Sequence, residues 1–318
     1  MDAQPSTRPL PPRPGLLPGD FPPFRARPPW WGPDLQTLRN FVRPPDPKRP
    51  AASTQRLSLA MSDGSGDRLS GLLETPVEPR PAAPLVVLIH GLSGSEESAY
   101  MIATSALLLA RGFAVLRLNL RGAGPSRATC KLQYHAGRSE DLRDALRALP
   151  PALTREGLAL VGYSLGGNML LKFSAEAGGE LPVRATVSIS APIDLRAASD
   201  RFLDARNRIY HLRLLRGMKQ ESLAPGALTT DAERQIIERA RSILEFDEKI
   251  VAPRNGFAGA DAYYQACHAR QVLLDIRVPT RVIHALEDPW IPSDAYRVVA
   301  WSQHPQLVPL LPPAGGHV

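Results

Sequence analysis

The chain has 318 residues, 43% of them hydrophobic and 22% charged, enough to bury one large core in one or two domains and too apolar for a disordered chain. Its net charge of +7 and pI near 9.7 come almost wholly from arginine, scattered along the chain beside only 6% aromatics, with no signature that would make nucleic acid the expected partner. Two cysteines, Cys130 and Cys267, cannot build a disulfide framework and have no metal-ligand spacing; a reducing compartment and a cytoplasmic location are expected, since no signal-peptide core and no run of about 18 apolar residues is present.

Residues 1–30, dense in Pro and Arg, are expected to be extended or disordered, and the Trp30-Trp31 segment through Leu38 to dock on the main body. Residues 1–54 thus read as an N-terminal arm ahead of a domain over 55–318. Two short strands at 55–61 and 68–74 flank Asp63-Gly64, a hairpin signal. The continuous apolar run at 85–90 predicts a strand buried on both faces of a parallel sheet. A helix over 97–111 and a strand over 113–118 follow. Residues 138–149 carry Leu142, Ala145, Leu146 and Leu149 on one helical face, and Pro150-Pro151 ends that helix. Strands at 157–161 and 183–189 bracket another helix. From about 194 to 278 the pattern is helical, with arginine-rich helices at 200–220 and 230–246 and the aromatic pair Tyr263-Tyr264. Strands resume at 280–285 and 307–311 around a helix at 293–302. Eight strands alternating with helices predict an α/β fold, a mostly parallel sheet whose helical cap, inserted between strands 6 and 7, lies over the C-terminal strand ends where ligands bind. The 200–220 helix bears Leu203, Ile209, Leu212 and Leu215, a face expected to pack on the core; peripheral contact with a membrane is its other use.

Gly162-Tyr163-Ser164-Leu165-Gly166 directly follows the strand at 157–161 and reads as a strand turning sharply into a helix with serine at the apex, a nucleophile elbow. A serine hydroxyl needs a histidine to take its proton, and the histidine needs an acid to fix its tautomer; in this architecture they follow in the order Ser, acid, His. His211, His268, His284 and His304 lie within or beside regular elements. His317 instead follows Pro312-Pro313-Ala314-Gly315-Gly316, a turn past the last strand from which a base can overhang the serine. The turn Glu287-Asp288-Pro289 offers the acid: Asp288 first, because the proline fixes the turn, then Glu287, with Asp294 reading as an acid near a helix start. Backbone amides of Leu92 and Leu165 are the candidate oxyanion donors, the former in His90-Gly91-Leu92-Ser93-Gly94. His90 reads as structural, and Arg121 as a turn anchor bonded to backbone carbonyls. No metal or organic cofactor is called for.

Residues 90–95, 119–124, Tyr134-His135-Ala136-Gly137, 162–168 and the Asp288-Pro289 turn together resemble the YheT-like α/β-hydrolases, relatives of the eukaryotic α/β-hydrolase domain lipases. Leu35-Gln36-Thr37, the stretch 246–257 and Tyr263-Tyr264 are the less generic parts of the resemblance, which spans about residues 20–318. It implies a serine hydrolase of carboxylic esters, short-chain or acylglycerol-type, working on a small ester or lipid substrate through Ser164, Asp288 and His317 and an acyl-enzyme. Two departures stand out: Ala123 replaces a cysteine, and the family pattern continues beyond Val318 into a further helix, so His317 is expected on a fraying end. An acyltransferase on the same acyl-enzyme and a non-catalytic lipid-binding homologue are the alternative readings.

Overall fold

A computed structural model describes residues 21–45 and 47–318. Among them eight strands form a sheet in the order β1-β2-β4-β3-β5-β6-β7-β8. These are β1 Ala52–Ala60, β2 Arg68–Pro76, β3 Leu85–Ile89, β4 Val115–Leu118, β5 Leu158–Tyr163, β6 Val183–Ile189, β7 Thr280–Ile283 and β8 Leu307–Leu310. The β1–β2 hairpin and its β2–β4 junction are antiparallel; every other pairing is parallel. The mostly parallel α/β sheet expected from the strand–helix alternation is what forms. Residues 1–20 of the expected arm lie outside the described residues.

The sequence of β3 shows how the two faces are filled. All its residues are buried, and successive side chains point to opposite faces. Val86 and Leu88 pack with Met101 and Leu109 of the helix Ala99–Leu109. Val87 and Ile89 share a core with Leu142 and Leu146 of the helix Ser139–Arg147 and with Leu170 of the helix Leu165–Glu176. The Ser139–Arg147 helix carries Glu140 and Asp141 in its first turn and Arg147 in its last, which suits the helix dipole.

The connection between β6 and β7 is helical, with helices Leu195–Leu203, Arg208–Ser222, Asp231–Arg239, Ile243–Phe246 and Ala260–Cys267. The single helix expected over 200–220 is broken. Asp204 leaves helical geometry, and the buried Asn207 side chain donates to the carbonyls of Arg201 and Pro289, both at 2.9 Å, so a tertiary contact sets the break. The 230–246 helix likewise divides at Ala240, and Ser242 caps the second piece by accepting from the Glu245 amide. The helix expected over 293–302 shrinks to Asp294–Arg297, because the Trp301 indole donates to the Tyr296 carbonyl that a longer helix would use internally. The apolar face of the cap helix departs furthest from expectation. Leu215 is buried, but Leu203, Ile209 and Leu212 are 49%, 78% and 51% exposed; the helix turns Tyr210 and Met218 inward instead. No helix among the described residues is long and apolar enough to cross a membrane.

Arg121 is structural, but its partners correct the expectation. Its buried guanidinium bonds carboxylates rather than carbonyls: Asp141 at 2.7 and 2.9 Å, and Asp67 and Asp63 at 3.0 Å. Burial works against its charge, but these carboxylates outweigh it and hold the group more firmly cationic than usual. The network ties the hairpin turn to the Ser139–Arg147 helix.

Candidate active site

β5 ends at Tyr163 and the next helix begins at Leu165, so the reversal falls on Ser164, at φ 49° and ψ −121°. A positive φ is strained for any residue with a Cβ and persists only where the surroundings enforce it. Close packing enforces it here: a Cβ on Gly166 would lie 2.3 Å from the His90 carbonyl oxygen. Strand, turn and helix can approach this closely only with glycine there.

The structure brings Ser164, His317 and Asp288 together. His317 Nε2 lies 2.9 Å from Ser164 Oγ, and Nδ1 lies 2.8 Å from Asp288 Oδ2. Asp288 Oδ1 accepts from the amides of Trp290 and Ile291 at 2.8 and 3.0 Å. Burial pushes the Asp288 carboxyl up, but His317 and these hydrogen bonds outweigh it and hold the group below its usual value. An ionised Asp288 requires the proton of neutral His317 on Nδ1, which leaves Nε2 as the acceptor facing the serine. Glu287 points to solvent and Asp294 is exposed on a short helix, so neither competes.

The other histidines have different work. His90 accepts from the Leu120 amide at Nε2 and so donates from Nδ1 to the Gly91 carbonyl; burial, partly offset by that bond, lowers it to about 4. His211 accepts the Ile243 amide within the cap. His284, expected within a strand, lies just past β7 and stacks on Tyr296 with ring centroids 4.0 Å apart.

His317 does not fray. It is buried, the Trp290 ring stacks on it at 4.3 Å, and its amide donates to Thr37 Oγ1 at 2.8 Å. Thr37 sits in the helix Pro33–Val42 and its hydroxyl donates to the Pro33 carbonyl, also at 2.8 Å. The N-terminal segment therefore holds the loop that carries the histidine. Thr37→Val keeps the shape and leaves the buried His317 amide unpaired, a cost of about 1–3 kcal/mol. We expect kcat to fall by about ten-fold with KM little changed, and Thr37→Ser to recover most of it; steady-state kinetics on one ester checks both.

Around the serine, one loop approaches closely. A Cβ on Gly91 would lie 2.9 Å from Ser164 Cβ. In that loop the Gly91 amide donates to the Tyr100 hydroxyl at 2.9 Å and the Ser93 amide to the Tyr134 hydroxyl at 2.7 Å. Tyr134 in turn donates to Glu221 of the cap helix at 3.0 Å. The amides of Leu92 and Leu165, both lining the cavity beside Ser164, have no hydrogen-bond partner among the described residues.

The cavity holds about 1320 Å³. One wall is apolar, with Leu195, Phe202, Ile243, Phe246 and Ile250; Tyr134, Gln133 and Glu221 give another a polar character. Burial, partly offset by the Tyr134 hydrogen bond, raises Glu221 to about 7. Asp247, buried in the cavity wall, accepts from Tyr264 at 2.7 Å; burial, again only partly offset, raises it to about 7. A carboxyl raised in the folded state stabilises the fold below its ordinary value of 3.8 and loses that contribution as pH climbs through about 7. Asp247→Asn keeps an oxygen for Tyr264. Above pH 7 it should unfold at a higher temperature than the parent, and near pH 3.8 at about the same temperature, as thermal unfolding across that range would show.

Thr37, Trp290, Tyr134 and Glu221 are the site residues that sequence reasoning does not reach. For Thr37 and Tyr134 the motifs Leu35-Gln36-Thr37 and Tyr134-His135-Ala136-Gly137 were signals without an assigned contact.

Comparison with known proteins places the chain in a family. A family model of the alpha/beta hydrolase fold matches residues 84–235. The putative esterase YheT of Escherichia coli (strain K12) is 36% identical over 240 residues, covering 74% of this chain and 70% of its own. The medium-chain fatty acid ethyl ester synthase/esterase 2 of Saccharomyces cerevisiae is 30% identical over 261 residues, 74% of this chain and 57% of the yeast protein, so the chain spans little more than half of that relative. A solved esterase of Pyrococcus furiosus, Pf2001, superposes with a TM-score of 0.54 at 15% identity, covering 84% of this chain and 85% of the other, a likeness of fold. The chain belongs to the YheT-like branch of the α/β-hydrolase family.

Proposed function

We propose that this protein is a serine hydrolase that cleaves carboxylic esters through an acyl-enzyme on Ser164. The observation that carries the reading is the hydrogen-bonded line Asp288–His317–Ser164 beside the amides of Leu92 and Leu165, which have no partner among the described residues. His317 Nε2 takes the Oγ proton as Oγ attacks the ester carbonyl. The developing oxyanion lies against the Leu92 and Leu165 amides, each such donor being worth about 10²–10³ in rate. Collapse expels the alcohol, which leaves with the proton from Nε2. Water, deprotonated by the same nitrogen, attacks the acyl carbonyl; the acyl–Oγ bond then breaks, Ser164 Oγ takes the proton back from Nε2, and the acid leaves. No cofactor takes part in this scheme.

In this reading residues 55–318 form the catalytic domain, with a cap over about 194–278. The apolar wall receives the acyl chain and the Tyr134–Glu221 side the alcohol, which favours medium or long acyl chains over acetate. The buried free thiols of Cys130 and Cys267 fit a reducing compartment, the cytoplasm. Hydrolysis of a p-nitrophenyl ester series tests the proposal: activity should rise from acetate toward octanoate and vanish in Ser164→Ala. Turnover that survives Ser164→Ala would rule it out. The yeast relative named both synthase and esterase supports a second reading, acyl transfer to an alcohol; an ethyl ester formed when ethanol is added would identify it.

A further inference from the structure

We propose that the mouth of the Ser164 cavity is a docking face for a lipid bilayer with anionic headgroups. The helix Arg208–Ser222 exposes Ile209, Leu212, Arg213 and Arg216, spaced i, i+3, i+4 and i+7, so they form one stripe. All four rim the cavity opening. Beside them the helix Pro33–Val42 presents Phe41 and Val42, 44% and 69% exposed. Arg213 lies over the Phe41 ring at 4.4 Å, which joins the two helices into one surface. The opposite side of the cap helix is already packed through Tyr210, Leu215 and Met218. The outward apolar stripe is left uncovered among the described residues, and a cluster of exposed large apolar side chains at a cavity mouth marks a contact surface.

Charge selects the occupant. Arg206 is paired with Asp34 at 2.8 Å and Arg201 with Asp204 at 3.3 Å. Glu221, on the same helix, bonds Tyr134. Arg208, Arg213 and Arg216 have no carboxylate partner among the described residues. Aliphatic side chains interleaved with uncompensated guanidiniums match the boundary between acyl chains and phosphate headgroups. The surface is also continuous with the apolar cavity wall, so an ester dissolved in the bilayer reaches Ser164 without crossing water. This deepens the ester-hydrolase reading and rests on the cavity being the substrate's route.

Flotation of the full chain with vesicles, either pure phosphatidylcholine or an equal mixture with phosphatidylglycerol, tests the proposal. The parent should float with the mixed vesicles and hardly at all with the neutral ones. Partition should fall about ten-fold or more in the double variant Ile209→Asp, Leu212→Asp, and about five-fold for each of Arg213→Gln and Arg216→Gln. Absence of parent binding, equal binding to neutral vesicles, or variants that float as the parent does would each overturn it. Thermal unfolding guards against a misfolded double variant, and the single arginine variants keep the test decisive. Fluorophosphonate labelling of Ser164 in the same samples needs no bilayer. Labelling without flotation overturns docking alone; flotation without labelling supports docking and overturns the hydrolase reading.

Discussion

Ester hydrolysis should fall about 10⁶-fold in kcat for Ser164→Ala or His317→Ala, about 10⁴-fold for Asp288→Asn, and no further when Ser164 and His317 are changed together. The non-additivity is the informative part. Nε2 of His317 is 2.9 Å from Ser164 Oγ, so in the proposed mechanism the base acts on the nucleophile's proton and removing either leaves the other idle. Asp288 stands one step back: it holds Nδ1 at 2.8 Å while the Trp290 and Ile291 amides hold its other oxygen. Asparagine can donate to Nδ1 and so favours the wrong tautomer, presenting a protonated Nε2 to the serine. Steady-state kinetics on the four variants checks the pattern. Losses that multiply in the double variant would mean that the two side chains act independently.

The second large effect is on folding. Gly166→Ala should destabilise the protein by about 3 kcal/mol or more, lowering the unfolding temperature by roughly 6–12 °C. The added methyl would meet the carbonyl oxygens of His90 at 2.3 Å and Ile89 at 2.8 Å. Both belong to the backbone of β3 and the residue after it, which parallel neighbours hold on each side, so nothing nearby can swing away. Gly179→Ala is the control. A Cβ there meets nothing within 4 Å, and alanine should be neutral or slightly stabilising. Thermal unfolding of both variants measures the contrast, and equal midpoints would show that the elbow can relax.

The parts of this molecule legible in its sequence are those whose physics is local. The elbow is five contiguous residues behind a buried strand; β3 announces itself by its continuous apolar run and the Ser139–Arg147 helix by its period. Asp288 and His317 could be named because each lies in a turn after a strand of a parallel sheet, where the fold collects its polar residues. Thr37 could not. Its partner is 280 residues away, and nothing in a short amphipathic helix says that one hydroxyl will meet a backbone amide of the last loop. The breaks at Asp204 and near residue 298 were hidden for a related reason: the side chains of Asn207 and Trp301 take carbonyls that periodicity assigns to a continuous helix. The cap helix shows a further limit. Leucine and isoleucine spacing identifies a face, but whether that face meets a core or open water depends on where the helix is set down. Here Ile209 and Leu212 face out beside the cavity.

The proposed hydrolase requires Ser164 to be a nucleophile activated by His317. Incubation of the protein with a fluorophosphonate, followed by peptide mass spectrometry, reads that reactivity out at the residue itself. One adduct is expected, on Ser164, formed rapidly by the parent and slowed by orders of magnitude in His317→Ala. An unmodified Ser164 in folded protein, or an adduct on another residue, would contradict it.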